Sequence, residues 1–298
     1  MATTTVSIGS NQSIATVTPA STSGSNPYVI AFTASVSANA AVGDIFVITD
    51  EVSFMGTYIY LLTEISGSNY TLKQVSDGGS GMGDLSPYGN FMVYDDSFNP
   101  EQASGTFKRA FSTITLFEAM VDDSSPAYWG SSDDVVGQCH GDSNFTDSRV
   151  YFSNKQSLAS VKLTAILSDR HDGTASGSGA GKVIIRPTAG TPTNQGIIES
   201  NIDDFILEWV EIDFDALDSA TSHKAVVLAG TNDDNIIRNN LIHDKYGNPG
   251  AVGPNMIIVQ GAGVAADTLY ILNNIIYNVI ETVGDHAVAI NVSQWAGN

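Results

Sequence analysis

The chain has 298 residues, with 32 acidic and 12 basic side chains and a formal net charge of −20. This charge repels phosphate backbones, so the composition argues against nucleic acid as a partner. Because Cys139 is the only cysteine, a disulfide framework and a cysteine-based metal site are excluded.

The first 98 residues consist of short strand-like segments separated by Gly, Ser and Asn, without a helical pattern. Strands this short and this evenly spaced predict a small sandwich or barrel, which we assign to residues 1–98. The stretch 77–89 (DGGSGMGDLSPYG) predicts a long surface loop. Strands are predicted at residues 3–8, 13–18, 28–35, 44–49, 58–64, 70–75 and 91–94.

One amphipathic helix is predicted within residues 107–123 (FKRAFSTITLFEAMVDD), inside a linker that we assign to residues 99–130. Thr115 and Glu118 match a capping box. A helix directly before stacked strands can cover the apolar end of the stack, so we expect a capping helix. Its apolar stripe, at i, i+3 and i+7, comprises Ile114, Phe117 and Val121.

From about residue 130 onward, strand-sized segments alternate with polar loops. The Gly- and Ser-rich loop 168–181 (SDRHDGTASGSGAG) predicts little regular structure, and such loops often carry binding sites. Within it, Asp169 and Asp172, beside His171, could bind Ca²⁺ through oxygen, although Asx-rich turns look the same without a metal. No cofactor follows with certainty from the sequence, and calcium is a possible one. Strands are predicted at residues 135–139, 149–152, 161–167, 182–186 and 196–200.

Three segments near the C-terminus repeat one another at offsets of 30 and 34 residues: 203–214 (DDFILEWVEIDF), 233–244 (DDNIIRNNLIHD) and 267–278 (DTLYILNNIIYN). A unit repeated at this period cannot bury its apolar face alone and must stack on its neighbours. The units are too short for a strand with a full helix, and they are rich in Ile and Asn. They therefore predict a parallel β-helix over residues 131–298.

Two cores of this repeat, IIRNNLIHD at 236–244 and YILNNIIYN at 270–278, resemble the repeat of right-handed parallel β-helix proteins. That family includes pectate-lyase-like enzymes and bacteriophage tailspikes, and many of its domains open with a capping helix similar to FSTITLFEAMVDD. The resemblance covers about residues 105–298. It implies an all-β fold in which the N-terminal β-domain is followed by the capping helix and a right-handed parallel β-helix.

In repeats of this kind an Asn lies inside a bend and forms a ladder with its counterparts in neighbouring coils. Asn240 and Asn274 fit that structural role, since an amide can satisfy backbone groups in a buried turn. Val210 occupies the equivalent place in the first unit, so the ladder should end or be replaced there. The alignment also predicts two inward stacks and two ion pairs: Leu207–Ile237–Ile271, Ile212–Ile242–Ile276, Glu208–Arg238 and Asp215–Lys245.

On the outside, the alignment places Asp213, His243 and Tyr277 in one column on consecutive coils. A carboxylate, an imidazole and a phenol at this distance could act on a polysaccharide by acid–base catalysis, so these are the candidate catalytic residues. Outward columns of a β-helix are polar by default, however, and no carboxylate pair can be selected for glycoside hydrolysis. The sequence leaves enzymatic activity open and favours binding without cleavage.

A small β-domain, a β-helix and an acidic, cysteine-poor chain most resemble a bacteriophage tailspike or tail fibre. By that resemblance, residues 1–98 would attach to other virion proteins and the β-helix would bind host surface polysaccharide, as a homotrimer that gains from avidity. Neither a signal-peptide core nor a membrane span follows Met1. We therefore expect synthesis in the host cytoplasm, no membrane insertion, and a place on the virion surface.

Two alternatives stay open at this point. One is an extracellular polysaccharide lyase or glycoside hydrolase of the β-helix type, and the other is a bacterial surface adhesin. The segment 287–292 (AVAINV) predicts one more strand, and no capping element follows it. Because a solenoid needs a terminal cap, the β-helix is expected to be incomplete at residue 298, with further coils or a receptor-binding tip beyond it.

Overall fold

The structure is a computed structural model, and within its described residues the protein is all-β with one α-helix. No helix in that part of the chain is long and apolar enough to cross a membrane. The described residues are 2–10, 15–17, 19–23, 28–32, 40–50, 56–74, 105–122, 129–176, 181–188, 195–215, 223–230, 234–247, 255–261, 268–281 and 287–294.

The chain begins with strand β1 (Thr3–Ile8) and continues with seven strands of one antiparallel sheet. These are β2 (Ala15–Val17), β3 (Pro19–Ser23), β4 (Tyr28–Phe32), β5 (Ile45–Asp50), β6 (Gly56–Ser66), β7 (Asn69–Gln74) and β8 (Gly105–Lys108), in the order β2-β8-β5-β6-β7-β4-β3. Strands β3 and β8 were not predicted. Pro19 starts β3 at the edge of the sheet, where a residue without an N–H is tolerated. The strand predicted at 91–94 and the loop 77–89 lie outside the described residues.

Strand β1 does not belong to the antiparallel sheet with which the sequence grouped it. It pairs in parallel with β9 (Asp134–Cys139), from Thr3 opposite Asp134 to Ile8 opposite Cys139. The antiparallel sheet therefore lies, in sequence, between two adjacent strands of a parallel sheet. A six-residue strand carries no information about a partner that follows more than a hundred residues later, so sequence pattern alone placed β1 with its nearest neighbours.

Helix α1 (Ile114–Asp122) is shorter than the predicted range, because Phe107 lies in β8. The predicted capping box is wrong: Thr113 caps the helix, its Oγ1 accepting a hydrogen bond from the Leu116 N–H at 3.1 Å. Thr115 instead bonds to Asp147, whose Oδ1 accepts its N–H at 3.0 Å and its hydroxyl at 2.6 Å. The predicted stripe is confirmed, since Ile114, Phe117 and Val121 are all buried.

The helix packs closely on the first parallel strands. The ring of Phe117 makes edge contacts with Trp129 and Phe152, at centroid distances of 6.4 and 6.1 Å. Gly137, in β9, lies directly beneath that ring. A Cβ at this position would lie 2.7 Å from Phe117 Cε1 and 2.9 Å from Ile8 Cδ1. The capping contact therefore depends on a glycine in the strand that the helix covers.

We expect Gly137→Ala to lower the free energy of unfolding by about 1–3 kcal/mol, because the added methyl overpacks the contact between α1 and β9. Urea unfolding followed by circular dichroism measures the loss. Gly130→Ala is the matched control, since its Cβ would meet Asp133 at an ordinary 3.4 Å. Equal stability of both variants would show that the helix can move away from the strand at no cost.

The remaining strands wind through successive coils. They are β10 (Val150–Phe152), β11 (Ser160–Ala165), β12 (Ile184–Ile185), β13 (Gly196–Ser200), β14 (Phe205–Glu208), β15 (Glu211–Asp213), β16 (Lys224–Ala229), β17 (Asn235–Arg238), β18 (Leu241–Gly247), β19 (Asn255–Gly261), β20 (Leu269–Leu272), β21 (Ile275–Glu281) and β22 (Val288–Gln294). A 3-10 turn, Leu167–Asp169, follows β11.

These strands form three parallel sheets. Sheet 1 has the order β1-β9-β11-β14-β17-β20, sheet 2 the order β12-β15-β18-β21, and sheet 3 the order β10-β13-β16-β19-β22. Coil 1 comprises β9 and β10, coil 2 β11–β13, coil 3 β14–β16, coil 4 β17–β19 and coil 5 β20–β22. The stack confirms the predicted all-β fold with a capping helix followed by parallel β-helix coils.

The interior of the stack is apolar and in the predicted register. Both inward stacks pair coil to coil: Leu207–Ile237–Ile271 in sheet 1 and Ile212–Ile242–Ile276 in sheet 2. Their members in coils 3 and 4 are fully buried, whereas those in coil 5 are only partly buried. In sheet 3 of coil 5, Ile290 and Val292 continue the core column but are 43% and 62% exposed.

One of the two predicted ion pairs between coils is confirmed. Arg238 Nε donates to Glu208 Oε2 at 2.7 Å, and Lys162 Nζ lies 3.4 Å from Glu208 Oε1. The predicted pair of Asp215 with Lys245 is wrong in the described part of the chain. Lys245 is buried in the stack, whereas Asp215 is exposed and its N–H donates to Asp213 Oδ1 at 2.9 Å.

A buried arginine joins the antiparallel sheet to coil 1. Arg109, which follows β8, donates from Nη1 to both carboxylate oxygens of Asp44 at 3.0 Å. Its Nε and Nη2 donate to Asp142, just after β9, at 2.9 and 3.1 Å. Asp44 is fully buried and also accepts the Ala41 N–H at 2.8 Å. The guanidinium therefore neutralises buried charge where the two sheets meet.

We expect His140, beside this joint, to make stability depend on pH. Burial, and then the charge of Arg109, lower its pKa to about 4, against the opposite effect of Asp142 and Asp169. Between pH 6.5 and 4 the unfolded chain binds a proton that the folded chain does not, so stability falls as pH falls, by roughly 3 kcal/mol at most. Urea unfolding of wild type and His140→Gln across this window isolates the effect. A constant difference between them would contradict it.

Candidate functional site

The turn from sheet 1 to sheet 2 has the same two-residue form in coils 3, 4 and 5. Its first residue adopts positive φ: Trp209 at 62°, Asn239 at 55° and Asn273 at 53°. Asn tolerates this left-handed conformation because its short polar side chain bonds locally, whereas a Trp there is uncommon. The second residue of the turn is Val210 in coil 3, Asn240 in coil 4 and Asn274 in coil 5. These three positions form the column in which the asparagine ladder was predicted.

The side chains of Asn240 and Asn274 satisfy the backbone of the preceding coil. Asn240 Oδ1 accepts the Val210 N–H at 3.2 Å, and Asn274 Oδ1 accepts the Asn240 N–H at 3.0 Å. Their Nδ2 groups donate to the carbonyls of Leu207 and Ile237 at 3.0 and 2.8 Å. The Val210 N–H donates to the ladder, but the valine side chain has no polar atom with which to continue it, so the ladder ends there.

The ladder sets the register of the outward column in sheet 2. Asp213 lies opposite His243, and His243 opposite Tyr277. The imidazole and phenol rings stack with their centroids 5.2 Å apart and their planes 9° apart. The column faces away from the apolar core, yet Asp213 is only 3% exposed and His243 1%. These side chains are therefore covered rather than presented to solvent.

His243 lies between two carboxylates. Its Nδ1 is 2.7 Å from Asp244 Oδ2, and its Nε2 is 2.9 Å from Glu211 Oε1. Burial lowers the pKa of His243, but the hydrogen bonds to Glu211 and Asp244 outweigh burial and raise it above its ordinary value. Each ring nitrogen therefore faces a carboxylate oxygen within hydrogen-bond distance.

The carboxylate of Asp213 is held by an arginine that sequence reasoning missed. Arg186 Nε donates to Asp213 Oδ2 at 2.9 Å, and its Nη2 contacts the same oxygen. Because Ile185 pairs with Ile212, Arg186 extends the column into coil 2. The insertion 168–181 hides this coil from an alignment of repeats. Glu211 was one of several acids in the sequence, and no pattern distinguished it.

The first part of the loop that was predicted to bind a ligand packs against coils 3 and 4. Residues 168–176, here called the strap, lie across the outside of sheet 2. The Ser176 N–H donates to Glu211 Oε1 at 3.0 Å, and His171 Nε2 donates to the Asn239 carbonyl at 2.7 Å. The guanidinium of Arg170 lies over the ring of Trp209, 4.9 Å from its centroid. These contacts hold the strap against coils 3 and 4.

Asp169 and Asp172, the predicted calcium ligands, bond to nearby donors. Asp169 Oδ2 accepts the Gly141 N–H at 2.8 Å, and Asp172 Oδ1 accepts the Thr174 N–H at 3.0 Å. Among the described residues, neither aspartate belongs to a group of three or more His, Cys, Asp or Glu side chains that could hold a metal ion. The described part of the chain brings together one set of three potential metal ligands, Glu211, Asp213 and His243. Each of these side chains offers one ligand atom within 4.8 Å of the other two.

The burial of Asp213 and His243 limits the reactions that this column of side chains could catalyse. A polymer substrate needs access to a general acid or base, whereas Asp213 and His243 are covered and bonded to charged neighbours. Comparison of the chain with protein-family models, with curated proteins and with solved structures finds no match. Function is therefore inferred from the fold and from the contacts of the residues themselves.

Proposed function

We propose that the protein is a virion structural protein, a tailspike or tail fibre, that attaches to glycans on the host surface. The observation that carries this proposal is the stack of parallel coils, braced between coils by the asparagine ladder and by ion pairs such as Glu208–Arg238. A stack of this kind grows along one axis and presents loops along its length. Such a structure suits projection from a particle.

The enclosed column supports binding over cleavage. Asp213 is paired with Arg186, and His243 is bonded to Glu211 and Asp244, so the polar groups of this column already bond to one another. A lyase or hydrolase would need such groups open to a sugar chain. We therefore place the polysaccharide-degrading alternative second and take the column as a structural feature of sheet 2.

Attachment through this chain would rely on several copies. Weak sites become useful when one particle presents many of them, because binding of the second and third copies is intramolecular. We propose a homotrimer whose N-terminal antiparallel sheet contacts other virion proteins and whose coils contact host polysaccharide. The acidic surface, with a net charge of −20, suits neutral or cationic glycans better than strongly anionic ones.

The test combines mass and glycan chemistry on one preparation. Light scattering after size exclusion should give three times the 31.4 kDa mass of the chain. Host polysaccharide should be retained by the protein without new reducing or unsaturated ends. A monomer that generates such ends would overturn the proposal in favour of the lyase or hydrolase. A monomer that binds without cutting would favour the adhesin.

A further inference from the structure

Glu211, Asp213 and His243 present three ligand atoms from a rigid part of the fold. All three side chains are buried, and each offers one atom within 4.8 Å of the other two. They lie on β15 and β18, adjacent strands of sheet 2 whose parallel register pairs Asp213 with His243. Their spacing is therefore fixed by the sheet rather than by a loop.

The imidazole is oriented as metal-binding histidines usually are. Asp244 Oδ2 accepts a hydrogen bond from His243 Nδ1 at 2.7 Å, and Asn278 Nδ2 in turn donates to Asp244 Oδ1 at 2.8 Å. A carboxylate on one ring nitrogen fixes the ring and leaves the other nitrogen as the ligand atom. That atom, Nε2, lies on the side of Glu211, 2.9 Å from its Oε1.

The charges of the bonded groups also favour a divalent cation. The two buried carboxylates of the set, Glu211 and Asp213, supply two negative charges, against one positive charge from Arg186. Burying uncompensated charge is costly. A divalent cation between the two carboxylates would compensate this charge.

A second imidazole on the strap lies near the cluster. His171 is buried, its Nε2 donates to the Asn239 carbonyl, and its Nδ1 has no hydrogen-bond partner among the described residues. His171 bonds to Asn239, four residues before His243, and Ser176 of the same strap bonds to Glu211. An unsatisfied buried nitrogen is rare and calls for an explanation. It offers a further nitrogen on the strap, which itself bonds to Glu211 through the Ser176 N–H.

We propose that Glu211, Asp213 and His243 form a binding site for a divalent transition metal ion that links coil 3 to coil 4. One nitrogen and two carboxylates suit Zn²⁺, with an open position for water or a further ligand. Ca²⁺ instead prefers six to eight oxygen ligands. The site is separate from Asp169 and Asp172, and it stands whether or not the protein binds glycans.

The experiment uses the whole, untagged chain, because a histidine tag would itself bind the probe. Protein unfolded in urea with chelator is refolded with Zn²⁺ and dialysed, and bound metal is measured by mass spectrometry. We expect about one equivalent per chain, as for a three-ligand protein site. The midpoint of thermal unfolding should rise with Zn²⁺ concentration and not with Ca²⁺ or Mg²⁺.

Variants identify the ligands. His243→Gln and Asp213→Asn should lose the bound Zn²⁺, and Asp244→Asn should weaken binding by roughly 10–100-fold, as loss of a histidine's carboxylate partner does. Glu208→Gln is the matched control. Glu208 is also buried and ion-paired across coils, but among the described residues it does not belong to a group of three ligand side chains, so this variant should bind Zn²⁺ like the wild type.

Two results would overturn the proposal. One is wild-type protein without bound Zn²⁺ after refolding, and the other is a His243→Gln variant that binds as much as the wild type. If the His243→Gln variant does not fold, the visible absorption spectrum of Co²⁺ added to the wild type tests the proposal instead. Nitrogen-ligated Co²⁺ of low coordination number absorbs strongly in the visible, and a spectrum like that of aqueous Co²⁺ would reject the site.

Discussion

Replacing Arg109 by methionine should lower the free energy of unfolding by about 3–5 kcal/mol, the cost of leaving a buried charge without its partner. Asp44 is fully buried and takes two hydrogen bonds from Arg109 Nη1, both at 3.0 Å. Methionine fills much of the same space but offers no donor. Urea unfolding followed by circular dichroism measures the loss as a shift of the midpoint.

Two further variants separate the lost charge from lost packing. Lys155→Met removes the ion pair with Asp204, a partly exposed carboxylate that water can solvate, so the loss should stay below about 1 kcal/mol. In Arg109→Met, the additional change Asp44→Asn should recover stability, because it removes the buried charge itself. If Arg109→Met cost no more than Lys155→Met, the joint between the antiparallel sheet and coil 1 would not depend on this guanidinium.

The register of coils 3 to 5 could be predicted because the sequence repeats there. Offsets of 30 and 34 residues align Ile212 with Ile242 and Asp213 with His243, and the strands pair in that register. In a stack of parallel strands, such an alignment predicts which side chains lie above one another and which of them point inward, since inward and outward positions alternate along a strand. The asparagine ladder could be predicted from the same alignment, because Asn240 and Asn274 occupy equivalent positions in it.

Contacts between distant segments could not be predicted in this way. The strap comes from coil 2 and contacts coils 3 and 4. The Gly and Ser content of its loop conceals the three residues that fix it, Arg170, His171 and Ser176. Nothing in the sequence near β1 indicates that it pairs with β9 beyond the whole antiparallel sheet. For the same reason the burial of Asp213 and His243 is a property of the tertiary structure that the sequence does not show.

Asn240→Val should lower the free energy of unfolding by about 2–5 kcal/mol, because it leaves the Val210 N–H without its acceptor and removes a donor to the Leu207 carbonyl. Valine already occupies the equivalent place in coil 3, so the backbone turn itself accepts this side chain. The expected loss therefore comes from unsatisfied polar groups, each worth about 1–3 kcal/mol when buried.

Asn274→Val is the matched control, since Asn274 makes the same bonds one coil further on but is only half buried. Water can replace the lost amide there, so the loss should be smaller, and urea unfolding of both variants measures the difference. Equal losses would mean that burial does not set the strength of the ladder. A loss below about 1 kcal/mol at Asn240 would mean that backbone pairing between the coils holds the turn without the amides.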